Sequence, residues 1–251
     1  MSLLFNVPSA LSPFDSVSAL LTEMENVKGP FYLRGQERES WGLLPTIARD
    51  YHFAGKVSKG FNPEEERDLF HRFRRYTYEH RQRVLGEWEA LFLARHHGLP
   101  VRLLDWTTNP LVALFWACRY QENPGENGAI WWFRRRESSK PKYLDVFVND
   151  KPLEVTGIRI VYPFYPTQRM TAQSGLFTIH GEPSKDLRGL ASDFYKPEEC
   201  DIESGGKWII PADKKRGILV ELNRLGISSR TLLPELDGIA AGLWQTELLR
   251  T

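Results

Sequence analysis

The feature that most constrains the fold is a polar segment, residues 96–110, enclosed between two helical patterns. It carries two histidines, an arginine, an aspartate and two adjacent threonines. Residues 87–95 predict a helix that stops near Gly98, and residues 101–104 predict a short buried strand. The apolar run 111–117 predicts a second helix. Polar side chains held between such elements are fixed in place, as a site requires.

The start of the helix over 111–117 has a recognisable capping pattern. Thr108 or Asn109 can accept a hydrogen bond from the first turn, and Pro110 suits the first helical position. The segment is therefore open to two interpretations. It is either a helix–strand–helix joint with a capping residue, or a joint that also presents functional groups.

Composition limits the function classes. The chain has 251 residues, 41% hydrophobic and 26% charged, which suffices for one domain with insertions or for two small ones. Its aromatic content of 12% predicts an aromatic-rich core. A formal net charge of +1 provides no overall attraction to nucleic acid or acidic lipid, so such binding would need a local patch.

The cysteines and the N-terminus indicate an intracellular protein without a structural metal. Cys118 and Cys200 are the two cysteines, and neither belongs to a CxxC pair, which argues against a disulfide framework and a zinc site. Cys118 is expected to be a buried thiol. Signal-peptide and membrane-spanning patterns are not found, so we expect a cytoplasmic protein that does not bind membranes.

Two helices are predicted in the first third of the chain. Ser16 can cap a helix over 17–27, and Asn62 followed by Pro63 is typical of a second helix start. The intervening residues 51–61 are expected to form a loop. The second helix is predicted to bury Leu69, Phe70, Phe73 and Tyr76.

The opposite side of this second helix is basic. Such a face is either solvated surface or a contact for nucleic acid phosphates. The face is formed by Arg67, Arg72, Arg74, Arg75, Arg81 and Arg83.

Strand patterns dominate the rest of the chain. Strands are predicted at 31–33, 129–133, 157–162, 208–210 and 218–222, and a further strand is predicted to begin at about Leu176. Residues 181–206 are expected to form a surface loop. A final helix capped by Ser228 or Ser229 is predicted, with Leu232, Leu236, Ile239, Ala240 and Leu243 as its apolar positions. This order predicts an α+β fold with mixed or antiparallel sheets packed against several helices.

Four polar clusters lie at element ends: 34–36, 97–108, 168–174 and 235–238. Each has a structural alternative, such as a turn, a cap or an internal ion pair between Arg102 and Asp105. Sequence patterns of the P-loop, the dinucleotide-binding fingerprint, the HExxH metalloprotease and the GxSxG hydrolase are not found.

The motifs as a set resemble the FRG domain. The resemblance rests on Tyr32-Leu33-Arg34-Gly35-Gln36, on residues 96–114, on residues 169–177 and on residues 233–238. It extends from about residue 31 to 242, so we expect a helical lead-in over 1–30 and a single FRG domain over 31–251. Such proteins occur in bacteria and phages.

The motif order is also similar to ADP-ribosyltransferases of the Arg–Ser–Glu type. That resemblance implies an ADP-ribosyltransferase-like fold and NAD as a substrate. It implies that Arg34 contacts the NAD phosphates or ribose and that Thr107 and Thr108 shape the nicotinamide pocket. The NAD-binding residues expected on this basis are Arg34, Gly35, Gln36, Arg102, Thr107 and Thr108.

The chain departs from that pattern where the catalytic glutamate would lie, because Gln173-Ser174-Gly175 carries no carboxylate. Asp105 is the nearest replacement, with Glu235 and Asp237 as further candidates. His97 is expected to act as a base or to bind the ribose, or else to fill a structural role beside Gly98. The catalytic candidates are therefore His97, Asp105, Gln173 and Glu235.

Three functions remain open. The first is an ADP-ribosyltransferase that modifies nucleic acid or protein, as a toxin or phage-defence effector would, with an antitoxin or other regulatory partner. In this case the Arg67–Arg83 face and residues 134–136 could contact nucleic acid. The second is a non-catalytic nucleotide- or partner-binding module. The third is a metal-dependent hydrolase of nucleotides or nucleic acid.

Overall fold

A computed structural model describes residues 3–5, 14–26, 31–53, 56–58, 62–119, 125–137, 144–164 and 167–250. Its helices are α1 (Val17–Asn26), α2 (Pro63–Arg81), α3 (Glu87–His96), α4 (Pro110–Cys118), α5 (Gln168–Ala172), α6 (Lys215–Arg224), α7 (Ser229–Leu232) and α8 (Leu236–Arg250). Its strands are β1 (Phe31–Gln36), β2 (Tyr51–Phe53), β3 (Lys56–Ser58), β4 (Leu103–Thr107), β5 (Gly128–Arg135), β6 (Ile158–Val161), β7 (Gly175–His180) and β8 (Ile202–Ile210).

Six strands form one sheet in the order β6-β7-β4-β1-β5-β8. Every neighbouring pair in this sheet is antiparallel. The strands β2 and β3 form a separate antiparallel hairpin. The predicted α+β class with antiparallel strands is therefore confirmed.

Helices cover one face of the sheet in two groups. Alternation along the strands places Leu33 and Phe177 on this face. The helices α1, α4 and α6 pack around Leu33, with Leu20 and Phe115 among their buried side chains. The helices α2 and α3 pack around Phe177, against which Phe92 stacks. The two groups leave a space between them near the ends of β1 and β4, which contains the candidate site.

The connection between β7 and β8 covers the opposite face. Leu187 and Leu190 pack there with Phe5 and Trp106. The expected surface loop over 181–206 is therefore wrong in two respects, since part of the segment is core and β8 already begins at Ile202. The apolar residues of this segment are isolated among charged ones, so no periodic pattern in the sequence predicts this packing.

Helix α2 begins as predicted but buries a different stripe. The side chain of Asn62 accepts hydrogen bonds from the backbone of the first turn. Glu66, Phe70 and Thr77 are buried, whereas Tyr76 is 66% exposed, contrary to the prediction. The buried carboxylate of Glu66 has a specific partner, described below, and this partner outweighs the usual cost of burying a charge.

The predicted strand at 218–222 is wrong, because these residues lie in α6. Lys215, Ile218 and Leu222 are the buried side chains of this helix, at the three- and four-residue spacing of a helical face. A short apolar run suits both a buried strand and a helix, so the sequence alone does not decide between them.

The predicted final helix is divided in two. Ser228 caps α7 as expected, but α7 ends at Leu232 and α8 starts at Leu236. Pro234 lies between them and lacks the backbone donor that a continuous helix would need. Of the apolar positions named for this helix, Leu236 and Leu243 are 82% and 58% exposed and therefore do not form a buried face.

Three local features differ from or agree with the sequence predictions. Residues 51–58 contain the β2–β3 hairpin where a loop was expected. The strand predicted at 101–104 occurs two to three residues later, as β4. Asn109 caps α4 as expected, accepting from the Leu111 backbone at 2.9 Å. Across the described part of the chain, no helix has the length and apolar character needed to cross a membrane.

Candidate functional site

The candidate site lies where β1 and β4 separate. The register between these strands consists of one pair, Leu33 with Thr107. Next to that pair, the side chain of Arg34 also bonds to β4. Its Nη1 donates to the Asp105 carbonyl at 2.9 Å and lies 3.6 Å from Asp105 Oδ2. The guanidinium therefore lies in the gap between the two strands.

A second guanidinium holds Asp105 from the end of α3. Arg95 Nε donates to both carboxylate oxygens at 3.2 and 3.1 Å, and Arg95 Nη2 donates to Oδ2 at 2.5 Å. Burial by itself raises the pKa of Asp105, but Arg95 and Arg34 more than offset this and lower it to about 2. Asp105 is thus ionised at neutral pH, and 40% of its side chain is exposed.

Arg34 is strongly desolvated. Burial lowers its pKa to about 9, and Arg49 and Arg95 act in the same direction, against the opposing effect of Asp105. Its Nε is buried and has no hydrogen-bond partner among the described residues. A buried donor without a partner is costly, so an acceptor bound at this position would be stabilising.

Arg169 provides a third guanidinium from α5. Its side chain is half-buried, and within the described residues it makes no hydrogen bond or ion pair. Arg169 lines the same cavity as Arg34 and Arg95. The site therefore has an excess of positive charge and at least two guanidinium groups with unused donors.

The cavity consists of two neighbouring compartments that share part of their lining. The larger encloses about 230 Å³ and the smaller about 160 Å³. Arg34 and Glu37 line the larger, and His96 lines the smaller. The side chains common to both compartments are Arg95, Asp105, Trp106, Arg169 and Gln173.

Two tryptophans form walls of the larger compartment. Trp41 lies below the Arg38 guanidinium, 5.6 Å from the ring centroid, and Trp116 lies below that of Arg119 at 4.9 Å. A cation over one aromatic face restrains the ring and is favourable by itself. Flat apolar walls beside cationic groups suit a ligand with a planar ring and a negatively charged part.

Thr107 and Gln173 join the elements around the cavity. Thr107 Oγ1 donates to the Gln173 carbonyl at 2.6 Å and accepts from the Asn109 backbone at 3.0 Å. Gln173 Nε2 donates to the Leu232 carbonyl at 2.9 Å. Both residues line the cavity with these polar groups already engaged, which suits a positioning role. Thr108 is exposed, and its backbone donates to Ser174 at 3.2 Å.

Gly35 and Gln36 are placed beside the cavity by structural contacts. A Cβ on Gly35 would lie 1.9 Å from the Ala113 carbonyl, so only glycine allows α4 to approach β1 this closely. Gln36 is 2% exposed, donates to the Gly42 carbonyl and accepts from Trp131 Nε1 at 2.8 Å. These contacts assign both residues to the framework of the site.

Arg102, expected to bind NAD, lies outside both compartments. It is 5% exposed, and its Nη2 donates to Glu66 Oε2 at 2.6 Å. Its Nη1 donates to the Leu153 carbonyl at 3.1 Å. Arg102 therefore joins β4 to α2 through a buried ion pair with Glu66, and the suggested internal pair with Asp105 is not formed.

The two adjacent histidines have different surroundings. His97 follows the last turn of α3 and is exposed, outside both compartments. His96 lines the smaller compartment, and its Nε2 lies 3.7 Å from Glu235 Oε1. Glu235 is itself exposed at the start of α8 and lines neither compartment. Of these three residues, His96 is the one that faces the cavity.

The arginines on the basic side of α2 differ in whether they are paired with carboxylates. Arg72 pairs with Asp68 at 3.0 Å, and Arg74 pairs with Glu87. Arg83, beyond the helix end, pairs with Glu89. The exposed arginines on the helix itself include Arg67, Arg75 and Arg81. None of the arginines of this face lines the larger compartment.

Sequence reasoning thus identified Arg34, Asp105 and Gln173 but missed Arg95, Arg169 and His96. The available signal for Arg95 was its place beside His96 in the last turn of α3, directly before the polar segment 96–110. Arg169 belongs to the polar cluster 168–174, but that pattern does not show that its side chain reaches Arg34 and Arg95. Among described residues, no group of three His, Cys, Asp or Glu is positioned for a metal ion.

Residues 29–126 match the family model of the FRG domain. The match extends from β1 through α4, and therefore includes Arg34, Arg95 and Asp105. The comparisons with curated proteins and with solved structures gave no match.

Proposed function

We propose that this FRG-domain protein binds NAD in the cavity between β1 and β4 and transfers its ADP-ribosyl group to a macromolecular acceptor. The observation that carries the proposal is the convergence of three guanidinium groups, two of them with unused donors. These groups are Arg34, Arg95 and Arg169.

A diphosphate is the ligand chemistry that best suits these groups. Guanidinium ions bind phosphate oxygens through paired, charge-assisted hydrogen bonds. The three cations outnumber the carboxylates of the same compartment, Asp105 and Glu37, so an anion bound beside them meets an excess of positive charge. The unpartnered Nε of Arg34 and the free guanidinium of Arg169 would acquire acceptors at the same time.

The remainder of a dinucleotide also finds suitable surfaces. Trp41 and Trp116 offer flat walls for planar rings in the larger compartment. Bound NAD would supply a ribose carbon that becomes electron-poor as nicotinamide leaves. Asp105, ionised and directed into the cavity, is the carboxylate placed to stabilise that positive charge.

The proposed acceptor is a nucleic acid or a protein. The exposed arginines of α2, among them Arg67 and Arg75, would contribute phosphate contacts with a nucleic acid acceptor. A transferase of this kind would suit a toxin or phage-defence effector working in the cytoplasm, controlled by an antitoxin or other regulatory partner. The acceptor class is decided by the labelling experiment below.

One observation favours a second candidate, a nucleotide-binding module without catalysis. The Asp105 carboxylate is already paired with Arg95 and approached by Arg34. Both cations reduce the charge that Asp105 could direct at a reacting carbon. The two candidates agree on nucleotide binding and differ on nicotinamide release.

The test combines NAD binding by calorimetry with nicotinamide release and transfer of labelled ADP-ribose in a bacterial lysate. Arg169→Ala is the main variant, because Arg169 makes no described side-chain bond that folding would lose. Arg75→Ala, an exposed arginine on α2, is the matched control. Arg34→Lys keeps the charge but removes the planar donor set.

We expect Arg169→Ala and Arg34→Lys to weaken NAD binding at least tenfold and to abolish transfer, with Arg75→Ala unchanged in NAD binding. Label on RNA, DNA or protein then identifies the acceptor class. NAD binding without nicotinamide release would favour the binding module. Absence of NAD binding by the unaltered protein would refute both, and activity lost in EDTA would favour a metal-dependent hydrolase.

A further inference from the structure

The two compartments of the cavity differ in what they can hold. The larger has the tryptophan walls and Arg34, so it suits the nucleotide of the proposed function. The smaller adds His96 and an apolar side that includes Met170 and Phe177. Both open onto the Arg95–Asp105 pair. A reacting carbon near Asp105 is therefore accessible from the smaller compartment, where a second reactant can approach.

His96 is held at the wall of this smaller compartment. It is the last residue of α3, and its side chain is 16% exposed. One ring nitrogen, Nε2, lies 3.7 Å from Glu235 Oε1. The imidazole rings of His96 and His97 pack edge to face, with their centroids 4.9 Å apart. The charge of a carboxylate this close to one imidazole nitrogen stabilises the proton that the other nitrogen acquires.

We propose that His96 is the catalytic base for an acceptor hydroxyl bound in the smaller compartment, with Glu235 as its positioning residue. The inference rests on the proposed function and assigns its second reactant. The acceptor O–H proton moves to His96 while the oxygen bonds to the ribose C1′. The C1′–N bond breaks, its electron pair stays on the nicotinamide nitrogen, and neutral nicotinamide leaves.

The charges around His96 favour this role. Burial lowers the pKa of His96, and His97 and Arg169 lower it further, against the opposing effect of Glu235. Arg95 and Asp105 also face the compartment and are paired with each other. The imidazole is consequently neutral at pH 7 and able to accept a proton.

The same charges select the acceptor chemistry. Arg95 and Asp105 pair in the smaller compartment and Arg169 leaves an excess positive charge there, so a protonated amine or a guanidinium entering it meets repulsion. An uncharged hydroxyl meets none and needs a base, because its proton is lost during transfer. Water and small alcohols share this chemistry and fit a space of about 160 Å³.

The experiment therefore uses NAD with methanol as the probe acceptor and methylammonium as the charged comparison. The products, methyl ADP-ribose and ADP-ribose, are separated by chromatography over a range of pH. His96→Gln is tested against His97→Gln, the neighbouring histidine that lines neither compartment. NAD binding is measured for each variant, and the ionisation of both histidines is followed by NMR.

We expect the unaltered protein to form methyl ADP-ribose but no methylammonium product. His96→Gln should bind NAD normally, lose about a hundredfold or more in methyl transfer and lose the ionisation on the acid side of the pH profile. His97→Gln should leave NAD binding unchanged and retain methyl transfer, with the acid limb of the profile moved to higher pH, because His97 lowers the pKa of His96. Glu235→Gln should lower the pKa of His96 seen by NMR and move the acid limb of the profile to lower pH.

Failure of the inference is distinguishable from failure of the proposed function. Methyl transfer by His96→Gln within threefold of the unaltered protein, or a pKa of His96 that NMR finds raised above the ordinary histidine value, would overturn the base assignment alone. Transfer to methylammonium would overturn the hydroxyl assignment. Absence of NAD binding or of nicotinamide release from the unaltered protein would overturn the function and this inference together.

Discussion

The buried ion pair between Arg102 and Glu66 gives the sharpest test of the fold. Their side chains are 6% and 2% exposed, and Arg102 Nη2 lies 2.6 Å from Glu66 Oε2. Glu66→Ala would remove the buried carboxylate that accepts from Arg102 Nε and Nη2. The hydrogen bond from Arg102 Nη1 to the Leu153 carbonyl would remain. The change therefore leaves the charge of Arg102 buried without the carboxylate that it faces.

The expected magnitude follows from that geometry. Breaking one side of a buried pair costs about 3–5 kcal/mol, and each kcal/mol moves the Tm of a chain this size by about 2–4 °C, so we expect a fall of about 6–20 °C. Asp68→Ala on the same helix is the control. It removes an exposed ion pair with Arg72, which contributes about 0.3–0.5 kcal/mol.

Thermal and urea unfolding measure both variants. A loss below about 1 kcal/mol for Glu66→Ala would refute the reasoning, because it would place the pair in effectively solvated surroundings. The double variant Glu66→Leu with Arg102→Met should recover most of the stability, since an apolar pair of similar volume needs no compensation. NAD binding by folded Glu66→Ala should be unchanged, because neither residue lines the cavity.

Three further predictions concern single residues. The pKa of Asp105 in the folded protein is about 2, below its unfolded value of about 3.9. Asp105 therefore stabilises the fold fully above about pH 3.9, and this contribution is lost as the pH falls toward about 2. The free energy of unfolding of Asp105→Asn, measured across this range, should lack that part of the decrease. Gly35→Ala should strongly destabilise the fold by forcing α4 away from β1, whereas Gly217→Ala, in open space on α6, should stabilise it by up to about 1 kcal/mol in urea unfolding. Cys118 is buried and its pKa is raised, so it should react with a thiol reagent only when urea unfolds the chain; rapid reaction of the native protein would contradict its burial.

The parts of the fold that sequence predicted correctly are those set by neighbouring residues. Asn62 and Asn109 cap helices because their side chains reach amides two or three positions away. The misread segment at 218–222 depends instead on distant packing. Its helix is specified by the burial of Ile218 and Leu222 against other elements, which a short apolar run does not reveal.

The candidate site was predicted in part for the same reason. Arg34 and Asp105 lie at strand positions that local patterns identify, and they do meet. Arg95 and Arg169 belong to helices separated by more than seventy positions in the chain. Their convergence requires the order β7-β4-β1 within the sheet, which no local pattern determines. Likewise, the choice between His96 and His97 depends on which side of α3 faces the cavity.

The single register pair between β1 and β4 divides the sheet into two halves, β6-β7-β4 and β1-β5-β8. A small rotation of one half against the other alters the width of the cleft while leaving the remaining ladders intact. Arg34 belongs to one half, and Arg169 precedes the β7 strand of the other. A ligand held by both residues therefore links the halves, so occupancy and rigidity of the whole sheet should rise together.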